Sequence, residues 1–260
     1  MNLDQDSKKI FRELNETLQQ IDNERLTFEE LKRNAKAVQL GTKSLREMWR
    51  QRDPSRERDA AFENSIESLM KVIEAFVLRL SQMEEGSLSE RDIASEIGDY
   101  FGIQGGTFRD WGKFEEAARA YEKGVTQTKR VKELGGKFNS YCQVQELINL
   151  VLAHPEAMNP SSGLVAKLRT TLDQIRQNPG SRPDPWAQAD QALITQLVDP
   201  EKAVGEWDTF EDLNPKKDSY SATRNVVDAL FEKLRPHLTG SSLESWNDLR
   251  ERLRTSESVS

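Results

Sequence analysis

Apolar residues recur at intervals of three and four along almost the whole chain. In the N-terminal segment the apolar positions are Ile10, Leu14, Leu18 and Ile21. This spacing places the apolar side chains on one face of an α-helix and leaves the charged residues on the opposite face. No sustained alternation of apolar and polar residues indicates a strand. The pattern therefore predicts an all-α protein.

Residues that favour helix starts divide these apolar stripes into separate helices. Ser89 and Ser241 are each followed by an acid three residues later, which is the spacing of a capping box. Two Asp-Pro pairs, at 184–185 and 199–200, place an N-cap acceptor before a proline in the first turn. Together these signals predict eleven helices, over residues 3–22, 27–51, 56–84, 89–110, 114–131, 137–153, 162–178, 185–197, 200–211, 219–235 and 242–254.

The predicted helices fall into two regions. Residues 1–86 form an N-terminal region of three coiled-coil-like helices, and residues 87–256 form a set of helices paired by short turns. The apolar stripe within 56–84 allows two interpretations: it packs internally, or it forms a coiled-coil seam with another chain and so an oligomer. Residues 178–184 are predicted to be a linker, and the tail after Arg254 is expected to fray.

Residues 98–131 carry the spacing of one helical repeat. Aromatic and small residues occupy the positions Phe101, Gly105, Phe108, Gly112, Ala117, Tyr121 and Gly124. Small residues let two helix backbones approach closely, and the aromatic rings fill the adjacent grooves. The segment resembles a tetratricopeptide (TPR) repeat, although Gln104 replaces the usual Leu and Lys129 stands where Pro often ends the unit. The resemblance implies a helical hairpin over these residues.

A second, weaker match to the same repeat covers residues 183–216. Its matching positions are Trp186, Ala203, Trp207, Phe210 and Pro215. Phe210 is larger than the small residue that the repeat expects. Between the two matches, 137–153 and 162–178 would form a degenerate helical pair, and the last two helices would cap the array. The resemblance thus implies TPR-like hairpins over 90–216, and a generic helical bundle with one accidental repeat is the competing interpretation.

Composition excludes several classes of function. The 260 residues include 31% charged residues, a net charge of −7, two His and one Cys. The acidic balance argues against nucleic-acid binding, and Cys142 cannot form a disulfide framework, so we expect it to be a buried apolar residue. No apolar window approaches the roughly 20 residues needed to span a bilayer. We therefore expect a cytoplasmic protein with no membrane partner.

The sequence offers little material for catalysis or phosphate binding. Gly106 and Gly112 are separated by five residues instead of the four of a phosphate-binding loop, and Phe114 replaces its Ser or Thr. His154 and His237 each lie beside a proline at a helix end, where a capping role is expected. The sequence therefore predicts no enzyme activity, no catalytic residue, no metal ligand and no cofactor.

Recognition remains as the expected chemistry, on the face that lines a TPR groove. The predicted partner- or ligand-binding residues are Asp99, Ile103, Arg109, Asp110, Asn139, Tyr141 and Gln145. Gly102 and Gly106 lie among them and are expected to leave an open floor, with Arg109 as a fixed donor. A structural pair between Arg109 and Asp110 is the alternative.

A narrower resemblance covers about half of the chain. The stretch DYFGIQGGTFRDWGKFEEAARAYEKG and the later unit DPWAQADQAL…DPEKAVGEW are similar to divergent bacterial TPR-type regions that accompany effectors in signalling and defence. This resemblance implies a scaffold or adaptor that binds a partner protein or peptide, such as an effector or signalling protein. The alternative is a sensor that binds a small anionic ligand or nucleotide and switches an associated effector.

Overall fold

The computed structural model describes residues 89–137, 139–177 and 184–259, together with scattered positions between Lys9 and Ser81. These residues form helices and turns and include no strand, which confirms the predicted all-α class. Within the three continuous ranges the α-helices are α1 (Glu90–Asp110), α2 (Phe114–Glu133), α3 (Tyr141–Ala153), α4 (Gly163–Gln177), α5 (Pro185–Val198), α6 (Pro200–Asp212), α7 (Lys217–Leu234) and α8 (Gly240–Val259).

The chain divides into two compact units, Met1–Phe138 and Asn139–Ser260. The three helices predicted within 1–86 lie outside the described residues except at scattered positions. The predicted linker at 178–184 also lies outside them, apart from Asp184. The division of the chain into 1–86 and 87–256 stays a prediction.

In the first unit, α1 begins and ends where the sequence predicts. The Ser89 hydroxyl accepts the Asp92 backbone N–H at 3.2 Å and donates to the Asp92 carboxylate at 2.6 Å, which satisfies one first-turn N–H. After α1, the chain reverses at Gly112, whose φ of +76° lies in the left-handed region that favours glycine. These signals are local to the sequence, so they set the helix bounds without help from distant residues.

The α1–α2 hairpin is closed by close contact at two glycines of α1. A Cβ atom at Gly105 would lie 2.6–2.8 Å from the Tyr121 ring, and one at Gly98 would touch Gln127 at 3.4 Å. Tyr121 is fully buried. At the open end of the hairpin, Arg130 of α2 forms an ion pair with Glu90 of α1. The predicted role of Gly105 as a close-packing residue is confirmed.

In the second unit, the structure corrects the predicted starts of α3 and α8 and the predicted cap of α6. Helix α3 begins at Tyr141 rather than at residue 137, and the Asn139 side chain accepts the Tyr141 N–H at 2.9 Å in place of a preceding helical turn. Helix α6 begins at Pro200 as predicted, but the Asp199 carboxylate pairs with Lys202 at 2.6 Å and does not cap the helix. Helix α8 begins at Gly240, so the predicted cap Ser241 lies inside it.

Residues 255–259 are helical, so α8 extends past the predicted end at Arg254 into the segment that is expected from the sequence to fray. Helix α8 continues to Val259. The Ser256 hydroxyl donates to the Glu211 carboxylate of α6 at 2.9 Å, and this tertiary contact anchors the last turns. Sequence reasoning missed the anchor because its partner lies 45 residues earlier in the chain.

The α5–α6 hairpin turns through the single residue Asp199 and contains the aromatic core of the second unit. Phe210 is fully buried, with edge-to-face contacts to Trp207 and Tyr220 at ring-centroid distances of 5.9 and 5.3 Å. Trp186, by contrast, was predicted to fill an aromatic packing position, yet it is 49% exposed. The second half of this predicted repeat therefore packs inward, whereas Trp186 does not.

The first helices of successive pairs contact one another in this unit. Helix α3 contacts α5, and α7 contacts both α5 and α3, while α8 packs against α6 and α7. A linear array in which each pair touches only its neighbours would separate α7 from α3. The α3–α7 contact therefore departs from such a linear array.

Candidate functional site

The four predicted binding residues on α1 differ in exposure. Asp99 is exposed and Ile103 is half-buried. Arg109 pairs with Asp110 at 3.4 Å between Nη2 and Oδ1, so the structural pairing considered as an alternative is present. Gly102 and Gly106 are buried. The expected open floor is therefore wrong, because a buried backbone cannot line an exposed groove.

The pKa of Asp99 is raised above its ordinary value of 3.8. Although the residue is exposed, neighbouring atoms partly remove its carboxyl from water; this desolvation is the larger cause, and the neighbouring Glu96 adds repulsion. The same two effects raise the pKa of Tyr100, together with the charge of Asp99. The carboxyl groups of Glu96 and Asp99 are therefore close enough to repel each other on this part of α1.

The three predicted residues around α3 belong to the second unit. Tyr141 is 39% exposed, and the Asn139 carboxamide oxygen is used by the Tyr141 N–H. Gln145 is only 5% exposed, and its backbone carbonyl accepts the Asn149 side-chain N–H at 2.7 Å. Gln145 is therefore a core residue rather than a surface contact. The seven predicted residues are divided between the two units, four in the first and three in the second.

A cleft of about 630 Å³ lies in the second unit, between the α5–α6 turn and the N-terminal half of α8. We call it the α6–α8 cleft. Its apolar lining is Val198, Pro200, Val204, Trp207 and Leu249, and its charged lining is Asp199, Glu201, Glu244, Asp248 and Arg252. The volume is within the range of typical ligand and side-chain pockets.

Buried hydrogen bonds fix the three helices that form the α6–α8 cleft. Trp207 Nε1–H of α6 donates to Gln196 Oε1 of α5 at 3.4 Å. Gln196 Nε2–H in turn donates to the Ser245 hydroxyl of α8 at 3.0 Å. Gln196 is 2% exposed, so losing either partner would leave a desolvated polar group. These hydrogen bonds link α5, α6 and α8 beside the cleft.

Arg252 lines the α6–α8 cleft but its charge is engaged by α6. Its guanidinium donates to both Glu211 carboxylate oxygens, at 3.0 and 2.7 Å, and to Asp208 at 2.7 Å. The hydrogen bonds from Arg252 lower the pKa of Glu211, and the bond to Glu211 is the main cause that raises the pKa of Arg252. Such a bidentate pair is geometrically specific and holds α8 against α6.

Stability should fall at acid pH through the Arg252–Glu211 pair. Because the folded-state pKa of Glu211 lies below its ordinary value of 4.5, the pair stabilises the fold above that pH. The contribution is lost as the pH falls through the folded-state value. We expect Glu211→Gln to lower the free energy of unfolding by about 1 kcal/mol at pH 7, and to show a weaker decline than the wild type between pH 5 and 3.

Urea unfolding followed by circular dichroism across that pH range is the measurement. Glu201→Gln is the matched control, because it removes one carboxylate from the same helix at an exposed position. Parallel pH profiles for the wild type and Glu211→Gln would contradict the assignment.

The described residues provide no arrangement for metal binding. In the continuous ranges and scattered positions that the structure covers, no group of three or more His, Cys, Asp or Glu side chains converges. His154 lies 3.5 Å from Glu156 at the end of α3, and Cys142 is buried, as expected. None of the helices in those same ranges combines the length and apolar character of a membrane span.

Comparison with known protein families found no match, and comparison with curated proteins found none either. Any proposal about function therefore depends on the geometry of the chain itself.

Sequence reasoning missed the α6–α8 cleft. Two local signals could have drawn attention to it: Gln196 interrupts an apolar helical run, and Glu244 and Asp248 share one face of α8 at i and i+4. Neither signal shows that α6 and α8 are neighbours. That proximity arises only from the tertiary packing of the second unit.

Proposed function

We propose that this protein is a non-catalytic adaptor that binds a partner protein or peptide through surfaces of its helical hairpins, in the cytoplasm. The observation that carries the proposal is the α6–α8 cleft, in which an apolar side chain remains exposed. Val204 is 56% exposed although it lies on a helix whose other large apolar residues, Trp207 and Phe210, are buried. A concave surface that combines apolar lining with a few polar groups is typical of a recognition site.

The TPR resemblance supports the same class of function. Gly105, Ala117, Tyr121 and Gly124 occupy the small and aromatic positions of the repeat, and all four are buried in the α1–α2 hairpin. TPR-like hairpins are rigid units whose outer surfaces are free to vary, which suits them to partner recognition. A role beside an effector in bacterial signalling or defence is the form of this proposal that the resemblance favours.

The sensor alternative gains no support from the geometry of α1. It was motivated by an exposed glycine floor and by Arg109 as an anion donor. Gly102 and Gly106 are buried, and Arg109 is paired with Asp110. A small anion would therefore have to compete with an existing ion pair.

Partner capture followed by reconstitution tests the adaptor proposal. The tagged full chain is used to isolate a partner from the cells of its source, and the purified partner is recombined with the chain on a size-exclusion column. We expect a stoichiometric complex with the wild type and its loss with Val204→Glu, because a buried charge without a partner would oppose binding.

Leu134→Glu is the matched control, because Leu134 is also an exposed apolar residue but lies in the first unit. Arg109→Glu tests the predicted α1 surface in the same assay. Failure of every captured protein to form a stoichiometric complex would overturn the adaptor function. Equal partner binding by the wild type and by Val204→Glu would show that the adaptor does not bind its partner through the α6–α8 cleft.

A further inference from the structure

We propose that the α6–α8 cleft binds a partner segment in which a Lys or Arg side chain lies next to an apolar side chain. The inference rests on the proposed adaptor function and specifies the chemistry of its partner. Two properties of the cleft carry it, the sign of its charge and its exposed apolar wall, and the first turn of α8 lies at the same place.

The charge of the cleft is predominantly negative. Its lining contains four carboxylates and one guanidinium. Arg252 is engaged by Asp208 and Glu211, and Asp199 is paired with Lys202. The remaining carboxylates of the cleft are those of Glu201, Glu244 and Asp248. None of the ion pairs among the described residues includes one of these three.

Like charges around a concave surface reinforce one another because the low-dielectric walls focus their field. Glu244 and Asp248 lie one turn apart on α8, and Glu201 lies across the cleft on α6. A cation placed between them interacts favourably with all three. An acidic or phosphorylated segment would meet the opposite sign, so a basic segment is the complementary occupant.

The apolar wall requires a second kind of side chain beside the cation. Val204 presents its exposed side chain to the cleft, and Leu249 and Trp207 lie behind it in the core. Covering such a surface contributes about 25 cal/mol per Å² of apolar area removed from water. A segment with only basic residues would leave this apolar wall exposed to solvent, whereas a Leu, Ile or Met next to the basic residue would cover it.

The start of α8 supplies donors for the backbone of the partner segment. Ser241 and Ser242 belong to the first turn of α8 and line the cleft. Backbone N–H groups in the first turn of a helix generally lack acceptors within the helix. An extended peptide offers uncharged carbonyl oxygens to such donors. The charge and the apolar wall of the cleft therefore select the side chains of the partner segment, while the first turn of α8 can donate hydrogen bonds to its main chain.

Selection from a random 12-residue phage-display library tests this chemistry without a known partner. The full-length chain is the bait, and the double variant Glu244→Lys/Asp248→Lys is used for counter-selection. We expect the enriched peptides to contain Lys or Arg within two positions of an apolar residue. Synthetic versions should bind about tenfold more weakly to the double variant in fluorescence anisotropy, and more weakly as salt is raised.

A neutral double variant, Glu244→Gln/Asp248→Asn, keeps the test valid if charge reversal disturbs the fold. Both residues are exposed on α8, so circular dichroism of the neutral variant should match the wild type. Enriched peptides without an excess of basic residues would overturn the proposal. Equal affinity for the wild type and the neutral variant would overturn it as well.

The outcome is separable from that of the adaptor test. A partner complex that depends on Val204 but is not displaced by any basic–apolar peptide leaves the adaptor function standing and overturns the basic-segment chemistry. Analytical ultracentrifugation tests whether a second copy of the chain occupies the cleft. A concentration-dependent dimer that Val204→Glu abolishes would assign the cleft to that second copy and would overturn the basic-segment chemistry. Displacement of the partner by the selected peptides supports both proposals.

Discussion

Replacing Gly105 by Ala is expected to destabilise the α1–α2 hairpin by about 1–3 kcal/mol, the usual cost of overpacking a core. The added Cβ would lie 2.6–2.8 Å from three ring atoms of Tyr121, including the Cγ at the base of the ring. Tyr121 cannot swing aside, because its side chain is fully buried and its ring base is fixed to α2. The two helices must separate or the ring must leave its rotamer.

Gly205→Ala provides the matched control on another helix. Gly205 lies in the middle of α6 with open space around its Cβ position, so the same substitution should stabilise by about 0.5–1 kcal/mol through helix propensity. Hydrogen exchange of the α1 and α2 amides, read by mass spectrometry, measures the effect on the hairpin itself.

A double-mutant cycle identifies the cause of the Gly105 effect. In a Tyr121→Leu background the ring is absent, so Gly105→Ala should cost much less there. A cost that is the same in both backgrounds would show that the Tyr121 contact is not responsible. A stabilising effect of Gly105→Ala in the wild type would contradict the close approach altogether.

Phe210→Ala is expected to lower the free energy of unfolding of the second unit by about 3–5 kcal/mol. Phe210 is fully buried and stands between Trp207 and Tyr220 in edge-to-face contact. Truncation removes both ring contacts and leaves a cavity that the flanking helices cannot fully close. Urea unfolding followed by tryptophan fluorescence measures the loss, since Trp207 is adjacent.

The substitution also separates two interpretations of this position. If residue 210 occupied a small-residue slot of a standard TPR repeat, Ala would fit as well as or better than Phe. Val204→Ala on the same helix is the control, and its change should stay within about 0.5 kcal/mol because Val204 is exposed. A neutral Phe210→Ala would favour the standard repeat and contradict the aromatic core seen here.

Much of the helical layout could be predicted from the sequence, because its determinants are local. The apolar spacing and the caps at Ser89 and Asp184 place α1 and α5 within a residue or two of their observed bounds. The errors arose where a distant contact overrides the local signal. Helix α8 extends beyond its predicted end because the Ser256 hydroxyl donates to the Glu211 carboxylate. The Asp199 carboxylate pairs with Lys202 instead of capping α6.

The candidate site was less predictable than the fold, since it depends on which helix faces lie together. The helical spacing predicts that Gln145 lines a groove, but its side chain is buried. Gly102 and Gly106 are buried as well. The α6–α8 cleft joins Val204 to Glu244, residues separated in sequence by the whole of α7. Periodicity gives each helix its apolar face but does not state which neighbour that face meets.

The contact between α3 and α7 has a consequence for how the chain folds during synthesis. The α1–α2 hairpin closes through a short turn, so it can form as soon as its own residues have emerged. Helix α3 can pack against α4 and α5 as they emerge, but its contact with α7 must wait, because Lys217, the first residue of α7, follows Ala153 by more than sixty positions. At roughly 5–20 residues per second, the part of α3 that α7 covers stays exposed for several seconds on the ribosome. Until α7 has emerged, the nascent second unit therefore exposes apolar surface that the folded unit buries.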